Sequence, residues 1–238
     1  MNKTHLKVKA TDFQYPTEEE WRESEKQFPN LTNFGFEYKN ETKLFLELKT
    51  PLPEIPREVN LYWWDISMTN KIGKLKLAYI NLNTHFQRYT KEFEVTATEV
   101  NIHRLQFDFY LETFFYFLFS LGDTIFQIIN LYFNLKIDEK DVNTYKLRDK
   151  LKIQKETSDL SKLIIKFATS IDPKDLRNSF THRFPKNQKD YRMIYDESAM
   201  ILYAGSGQET SSSDLIKEVT KSLKIMDKFI IDLKSYLI

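Results

Sequence analysis

The residues of this chain that could carry out chemistry together are concentrated in one stretch, Asp175 to Phe184, which reads Asp-Leu-Arg-Asn-Ser-Phe-Thr-His-Arg-Phe. If this stretch is helical, Asn178 and His182 lie on one face, because they are four residues apart, and the amide can orient the imidazole. Arg177 lies about 140° from His182 around the helix axis, and its long side chain can curl towards a group that the imidazole holds. A guanidinium, an imidazole and an amide are together suited to binding a phosphodiester.

The residues around this stretch predict a short helix. Asp172 and Pro173 form a strong helix start, because the carboxylate can accept from the free N–H groups and proline needs no donor at the first helical position. Pro185 disfavours a helical conformation for Phe184, so the helix is expected to end there. His182 then lies in the last turn, where the helix dipole favours a protonated imidazole.

A structural interpretation of the same residues competes with the chemical one. Arg177 could form an ion pair with Asp175 or Asp123, and His182 could be a hydrogen-bonded residue at a helix end. An arginine and a histidine five residues apart are weak evidence by themselves, because this spacing can arise by chance. The asparagine that follows the arginine, and the place on a short helix between longer ones, strengthen the chemical interpretation.

The stretch Arg177-Asn178-Ser179-Phe180-Thr181-His182 resembles the Arg-Asn-x-x-x-His signature of the HEPN superfamily. The resemblance covers the chain from about residue 98 to the C-terminus and implies a helical bundle with the motif near the start of its third helix. Active members are typically metal-independent endoribonucleases in which the motif works in pairs across a dimer interface. The resemblance therefore implies a homodimer, with RNA as its partner and substrate, and neither a metal nor a cofactor.

If the activity carries over, the 2′-hydroxyl of the RNA attacks the adjacent phosphorus and leaves a 2′,3′-cyclic phosphate. His182 would transfer protons, since the unperturbed pKa of histidine is about 6.5. Arg177 would stabilise the charge on the pentacoordinate phosphorus, and Asn178 would orient the imidazole or the phosphate. Some HEPN toxins carry a modifiable tyrosine two residues after the histidine. Phe184 occupies that position here, so this mode of neutralisation does not transfer.

A basic and partly aromatic segment follows the motif. Arg183, Lys186, Tyr191 and Arg192 could follow a phosphate backbone and stack on bases, which makes them the predicted RNA-binding residues. Solvated surface charge is the commoner explanation for such a segment.

Composition narrows the fold class and the kinds of site. The chain of 238 residues is 41% hydrophobic and 15% aromatic, with only 5 Gly and 7 Pro, which favours an ordered helical fold. The absence of cysteine excludes disulfides, thiolate metal sites and a cysteine nucleophile, and it fits a cytoplasmic location. A net charge of +1 provides no global field for nucleic acid, so RNA contacts must come from a local patch. No metal-binding or phosphate-binding motif occurs, and His5, His85 and His103 are interpreted as isolated structural or surface residues.

Hydrophobic periodicity predicts the elements. Thr17 opens a short helix with a capping box, and alternating apolar residues predict a β-hairpin from strands 33–39 and 42–49. Three- and four-residue steps predict long helices at 58–89 and 98–135 and a last helix at 214–237 that carries lysines opposite its apolar face. Shorter helices are expected at 145–151 and 158–172, and a hairpin at 191–195 and 199–203.

The second long helix contains an apolar run, Phe114–Phe133, that could suggest a membrane span. Gly122, Asp123 and Gln127 interrupt it, and a charge near a bilayer centre costs at least about 2.5 kcal/mol. A helix buried within a bundle is the favoured interpretation, with no membrane contact. Asp123 then needs a partner inside the protein.

The predicted fold class is mainly α, an HEPN-like up-and-down helical bundle with a small N-terminal α+β extension and a β-hairpin insertion between the last two helices. The predicted divisions are an extension at 1–57, a long helix at 58–97 that packs on the bundle, and the bundle at 98–238.

The predicted function is that of a bacterial, homodimeric, metal-independent endoribonuclease in defence or stress response, with an antitoxin or another protein as a further partner. The alternatives are a non-catalytic HEPN module that binds RNA, a nucleotide or a protein, and a purely structural helical protein.

Overall fold

The computed structural model describes residues 9–91, 101–153, 157–170, 193–196, 198, 200–204 and 210–237. Its α-helices are α1 (Glu18–Glu25), α2 (Glu41–Leu46), α3 (Ile55–Lys91), α4 (Ile102–Tyr132), α5 (Thr144–Ile153), α6 (Ser158–Ser170) and α7 (Ser212–Leu237). Short 3-10 helices lie at Ala10–Asp12, Leu52–Glu54 and Glu139–Asp141. The described part of the chain is mainly helical, as predicted.

Helix α1 begins at the predicted capping box. The Thr17 backbone N–H donates to Glu20 Oε2 at 2.8 Å, and the Glu20 backbone N–H donates to Thr17 Oγ1 at 3.3 Å. Each side chain therefore satisfies a backbone donor that the first turn leaves without a partner.

The β-hairpin predicted for 33–39 and 42–49 is wrong. Residues 33–40 form no regular element, and the second predicted strand instead contains α2. Asn40 caps α2, since its Oδ1 accepts from the backbone N–H groups of Thr42 at 2.9 Å and Lys43 at 3.3 Å. A side chain that serves as an N-cap stabilises a helix start in place of a turn between strands.

The first predicted strand is replaced by backbone contacts to a buried carboxylate of α3. Asp65, which is 1% exposed, accepts hydrogen bonds from the backbone N–H groups of Phe34 at 2.9 Å, Gly35 at 2.8 Å and Phe36 at 3.0 Å. Gly35 has φ +77°, in the left-handed region that favours glycine. These three N–H groups bind Asp65, so they are not available to pair with a neighbouring strand.

Helices α3 and α4 form a long antiparallel hairpin, and their contacts show its register. Tyr79 of α3 packs near Phe114 of α4, with ring centroids 6.5 Å apart. Further towards the end of α3, the Phe86 ring lies 5.9 Å from that of Phe107. Both helices approximate their predicted ranges, and α3 continues through Gly73 without interruption.

Helix α4 provides the centre of the hydrophobic core. Its side chains that are completely buried include Phe107, Leu111, Phe114, Leu118, Leu121, Ile125, Ile128 and Ile129. The helix is long and apolar enough to cross a membrane by length and composition, but 61% of its most apolar window is buried inside the protein. This burial is typical of a core helix and agrees with the bundle interpretation.

Asp123 lies on the exposed side of α4, so it is not the buried carboxylate that its position in the apolar run suggested. Lys71 of α3 lies near it. Burial lowers the pKa of the Lys71 ammonium, and the Asp123 charge partly opposes that shift. The Lys71 ammonium also donates to Thr124 Oγ1 at 2.5 Å and to the Ser120 carbonyl at 3.1 Å.

Helices α6 and α7 pack against each other and against α4. The Phe167 ring of α6 stacks on the Phe229 ring of α7 at 3.8 Å, and its centroid lies 6.2 Å from that of Phe126 on α4. At the start of α7, Arg104 Nη1 of α4 donates to Ser212 Oγ at 2.8 Å. The first turns of α4 and α7 therefore meet at one end of the bundle.

A two-stranded antiparallel sheet precedes α7, as predicted for the insertion. Its strands are β1 (Met193–Asp196) and β2 (Ile201–Ala204), and Met193 pairs with Ala204 while Asp196 pairs with Ile201. The strands lie one or two residues further along the chain than the sequence predicted.

Candidate functional site

The predicted catalytic and RNA-binding residues belong to a segment that the structure does not describe. Arg177, Asn178, His182, Arg183, Lys186, Tyr191 and Arg192 all lie outside the described residues. Their roles and the predicted motif helix therefore stay predictions. The structure does describe the two ends to which this segment is joined, Ser170 at the end of α6 and Met193 at the start of β1.

A groove of about 660 Å³ lies between α6 and α7 and includes Ser170, the last residue of α6, in its lining. A volume of this size is within the range of ligand-binding clefts. Helix α6 contributes Leu163, Lys166, Phe167 and Ser170, and α7 contributes Ile216, Lys217, Thr220, Lys221, Lys224, Ile225, Lys228, Phe229 and Asp232.

The groove, called here the α6/α7 groove, has an apolar floor. Leu163, Ile216 and Ile225 are partly buried and pack against the core, so each also presents apolar surface to the groove. Phe167 and Phe229 are 7% and 2% exposed, and their rings stack on each other. The floor therefore offers aliphatic surface, while its aromatic ring faces are already occupied.

Five lysines and a single aspartate line the same groove, which gives it a positive rim. Three of these lysines form ion pairs, Lys217 with Asp214 at 2.8 Å, Lys221 with Glu218 at 3.4 Å and Lys228 with Asp232 at 2.9 Å. Among the described residues, no carboxylate lies within ion-pair distance of Lys166 or Lys224. The rim thus carries positive charge in excess of its nearby carboxylates and favours an anionic ligand.

A second polar cluster lies where the end of α3 meets the start of α4. His85 and His103 are 0% and 3% exposed, and their Nδ1 atoms are 3.2 Å apart, which is hydrogen-bonding distance. The His85 ring also stacks on Tyr110, with centroids 5.9 Å apart and planes 4° from parallel. The sequence analysis interpreted the two histidines as isolated structural or surface residues. They are not isolated, because the antiparallel hairpin brings them together, but both are buried, which agrees with a structural role.

The environment of His85 disfavours its charged form. Burial, followed by the charges of His103 and Arg88, lowers the pKa of His85 to about 4. Its Nε2 atom has no hydrogen-bond partner among the described residues. His85 is therefore a neutral imidazole at physiological pH.

Arg88 connects this cluster to the N-terminal residues. Its Nε donates to Glu20 Oε1 at 2.8 Å, and its Nη2 donates to Glu20 Oε2 at 2.6 Å. The hydrogen bonds from Arg88 are the main cause that lowers the pKa of Glu20 to about 2. Arg88 also donates to the Gln14 side chain at 3.1 Å, so one guanidinium holds two parts of the N-terminal segment on α3.

A sequence signal for the histidine pair existed. The sequence predicted a long helix at 58–97 that packs on the bundle and a second long helix that follows it, and residues near the connection of two such helices face each other when the helices are antiparallel. His85 and His103 are both close to that connection. Spacing along the chain, however, indicates a shared site only for residues that lie on the same helix or strand. Among the described residues, no group of three or more His, Asp or Glu side chains could hold a metal ion.

Comparison with known proteins identifies one family. Residues 64–236 match the family model HEPN_Cthe2314, whose description is HEPN-like, and the match covers more than two thirds of the chain. The match begins within α3 and continues into α7, so it includes the two-stranded sheet and the Arg177–His182 motif. The proposed divisions at residues 57 and 97 stay predictions. No curated protein and no solved structure gives a significant match.

Proposed function

This chain belongs to the HEPN family, and from this premise we propose that it is a homodimeric, metal-independent endoribonuclease. At the family level, a HEPN domain is a nuclease-related, RNA-related or nucleotide-binding module. The observation that carries the finer proposal is the complete Arg-Asn-x-x-x-His signature at residues 177–182, inside the matched range.

The proposed reaction uses the RNA itself as the nucleophile. The 2′-hydroxyl attacks the adjacent phosphorus, and the bond from phosphorus to the 5′-oxygen breaks. His182 accepts the proton of the 2′-hydroxyl, and the partner's His182 or a water protonates the leaving oxygen. Arg177 stabilises the negative charge of the pentacoordinate phosphorus, and Asn178 orients the imidazole or the phosphate. The products are a 2′,3′-cyclic phosphate and a 5′-hydroxyl, and DNA is not cleaved because it lacks the nucleophile.

A second copy of the chain is needed for two histidines to act on one phosphate. The outward side of α4 supports this part of the proposal. Phe109 and Tyr116 are 63% and 66% exposed and lie seven residues apart on one face of α4, with the exposed Glu112 between them. Exposed aromatic surface of this kind is enriched in protein interfaces. We call the surface around Phe109 and Tyr116 the α4 outer face and assign it to the second copy.

Further parts of the proposal rest on the family resemblance and on composition. The RNA-binding residues are proposed to be Arg183, Lys186, Tyr191 and Arg192, which follow the motif. The proposed location is the bacterial cytoplasm, in defence or stress response.

The experiment that tests this proposal measures RNA cleavage and RNA binding in parallel, with EDTA present. The wild-type protein is expected to cleave RNA, and His182→Ala is expected to bind RNA without cleaving it. Binding by the wild type without turnover would instead support the alternative function, a non-catalytic HEPN module that binds RNA, a nucleotide or a protein.

A further inference from the structure

We propose that the α6/α7 groove is the docking site for an acidic amphipathic helix of a protein partner. The proposal rests on the shape, lining and charge of the groove, all within described residues. It does not depend on the ribonuclease activity, and the two can fail separately.

The length of the groove fits a helix of about four turns. Its lining on α7 extends from Ile216 to Asp232, and at 1.5 Å per residue this distance is about 24 Å. A partner helix of about 16 residues covers the same length. Helices of this kind bind by placing an apolar face in a hydrophobic groove.

The floor favours an apolar helix face over a nucleic-acid strand. Bases bind proteins mainly by stacking on exposed aromatic rings. In this groove Phe167 and Phe229 stack on each other and are almost completely buried, so they present no free ring face. The accessible floor is aliphatic, from Leu163, Ile216 and Ile225, which suits leucine or isoleucine side chains of a partner.

The positive charge of the rim favours an acidic partner. Lys217, Lys221, Lys224 and Lys228 recur at steps of four, three and four residues, so they form one row along α7. Lys166 adds a fifth ammonium from α6, and Asp232 is the one acidic residue of the lining. Glutamates or aspartates that flank the apolar face of the partner would complement this row.

The groove extends to the end of α6, from which the chain continues towards the motif segment. Ser170 lines the groove and ends α6, and Arg177 follows seven residues later in the chain. A helix bound here therefore lies beside the point where the chain leaves α6 towards the motif.

The test uses a synthetic peptide and the full-length protein. The probe is a helical peptide of about 16 residues with leucines at three- and four-residue steps and flanking glutamates, and its control replaces every glutamate by glutamine. Fluorescence anisotropy measures the dissociation constant for wild type and for the triple variant Lys217→Glu, Lys221→Glu, Lys224→Glu. The matched control variant reverses the three exposed lysines of α5, Lys146, Lys150 and Lys152, which changes the net charge equally.

The expected result is that the acidic peptide binds the wild type and the α5 variant alike. Binding to the groove variant is expected to be weaker by about tenfold or more, since three attractions become repulsions, and to fall with added salt. The glutamine peptide should bind more weakly than the acidic one. Circular dichroism checks that both variants remain folded.

Three outcomes would overturn the proposal. They are equal binding of the peptide to both lysine variants, no binding of the acidic peptide to the wild type, and a loss of RNA binding in the groove variant while its affinity for the peptide is unchanged. The last result would assign the lysine row to RNA. Cleavage of RNA by His182→Ala tests the catalytic proposal and leaves this one untouched.

Discussion

At the scale of single residues, His85 is the clearest source of pH dependence. It is buried beside His103, Arg88, Glu20 and Tyr110, and its pKa is lowered to about 4 from an ordinary value of 6.5. The unfolded chain therefore binds a proton between these pH values that the folded chain does not. The stabilisation associated with neutral His85 is complete above pH 6.5 and is lost as the pH falls towards 4.

This loss is expected to reach about 3 kcal/mol, the free energy that corresponds to the difference between the two pKa values. Urea denaturation of the wild type and of His85→Gln, between pH 4 and 7, measures it. The variant should lose less stability than the wild type over this interval. Glu20, whose pKa is lowered to about 2, loses part of its own stabilising contribution as the pH falls below about 4.5, but this loss is common to the wild type and the variant and cancels in their comparison. Parallel pH profiles for the two proteins would contradict the account.

Asp65 is a second residue for which the effect of substitution on stability can be predicted. Its buried carboxylate accepts three backbone N–H groups of residues 34–36, and Asp65→Ala would leave those donors without a partner. We expect a loss of about 3 kcal/mol or more, and a smaller loss for Asp65→Asn, which retains one acceptor oxygen. Chemical denaturation measures both. Asp159→Ala, at an exposed ion pair, is the control and should change stability by less than about 0.5 kcal/mol. A loss no larger than that of the control would contradict the assigned role.

At the scale of elements, periodicity predicted the helices because each one buries an apolar face of its own. The N-terminal strands were wrong for the opposite reason. Phe34, Phe36 and Tyr38 alternate as in a strand, but the backbone N–H groups of Phe34 and Phe36 donate to Asp65, about 30 residues away in the chain. A contact between a loop backbone and a distant side chain leaves no local pattern in the sequence.

The candidate sites differ in the same way: some of their features follow from the local sequence, and others exist only in the folded structure. The row of lysines opposite the apolar face of the last helix is visible in the sequence. The α6/α7 groove is not, because it exists only where α7 meets the end of α6. The pair of His85 and His103 likewise depends on the register of two helices. The motif at 177–182 was recognisable from its residue types alone, and its geometry lies outside the described residues.

Phe167 packs α6 against the other helices of the bundle. Its ring contacts both Phe126 of α4 and Phe229 of α7. Phe167→Ala should cost about 3–5 kcal/mol, since it removes a large buried side chain and leaves a cavity. Thermal and urea denaturation measure this loss. Tyr145→Ala on α5, where the side chain is 63% exposed, serves as the control, and equal effects of the two substitutions would show that α6 is not held in this way.

At the scale of the whole molecule, the account requires a dimer. A stable interface of standard size buries about 800 Å² on each partner, and each large aromatic side chain can contribute roughly 150–250 Å². The two exposed rings of the α4 outer face, Phe109 and Tyr116, therefore provide part of the needed surface. A second copy is its proposed occupant because the two aromatic rings can face their own equivalents across a two-fold axis.

The double variant Phe109→Arg, Tyr116→Arg should be a folded monomer, because like charges would then face each other across the two-fold axis. Analytical ultracentrifugation of wild type and variant measures the change in mass. Tyr145→Arg and Tyr195→Arg together alter two exposed tyrosines elsewhere and should leave the dimer intact. A wild type that sediments as a monomer, or a dimer that survives the double substitution, would contradict the assignment of this face.

The central claim is that Arg177 and His182 cleave RNA through its own 2′-hydroxyl. The most direct measurement is the rate of cleavage, in EDTA, of an RNA strand and of the same strand with a single 2′-deoxy nucleotide at the cut site. We expect the wild type to cut only the RNA and to leave a 2′,3′-cyclic phosphate, while His182→Ala loses about 10²–10⁴-fold in rate and His5→Ala does not. Equal cleavage of both strands, or full activity of His182→Ala, would contradict the claim.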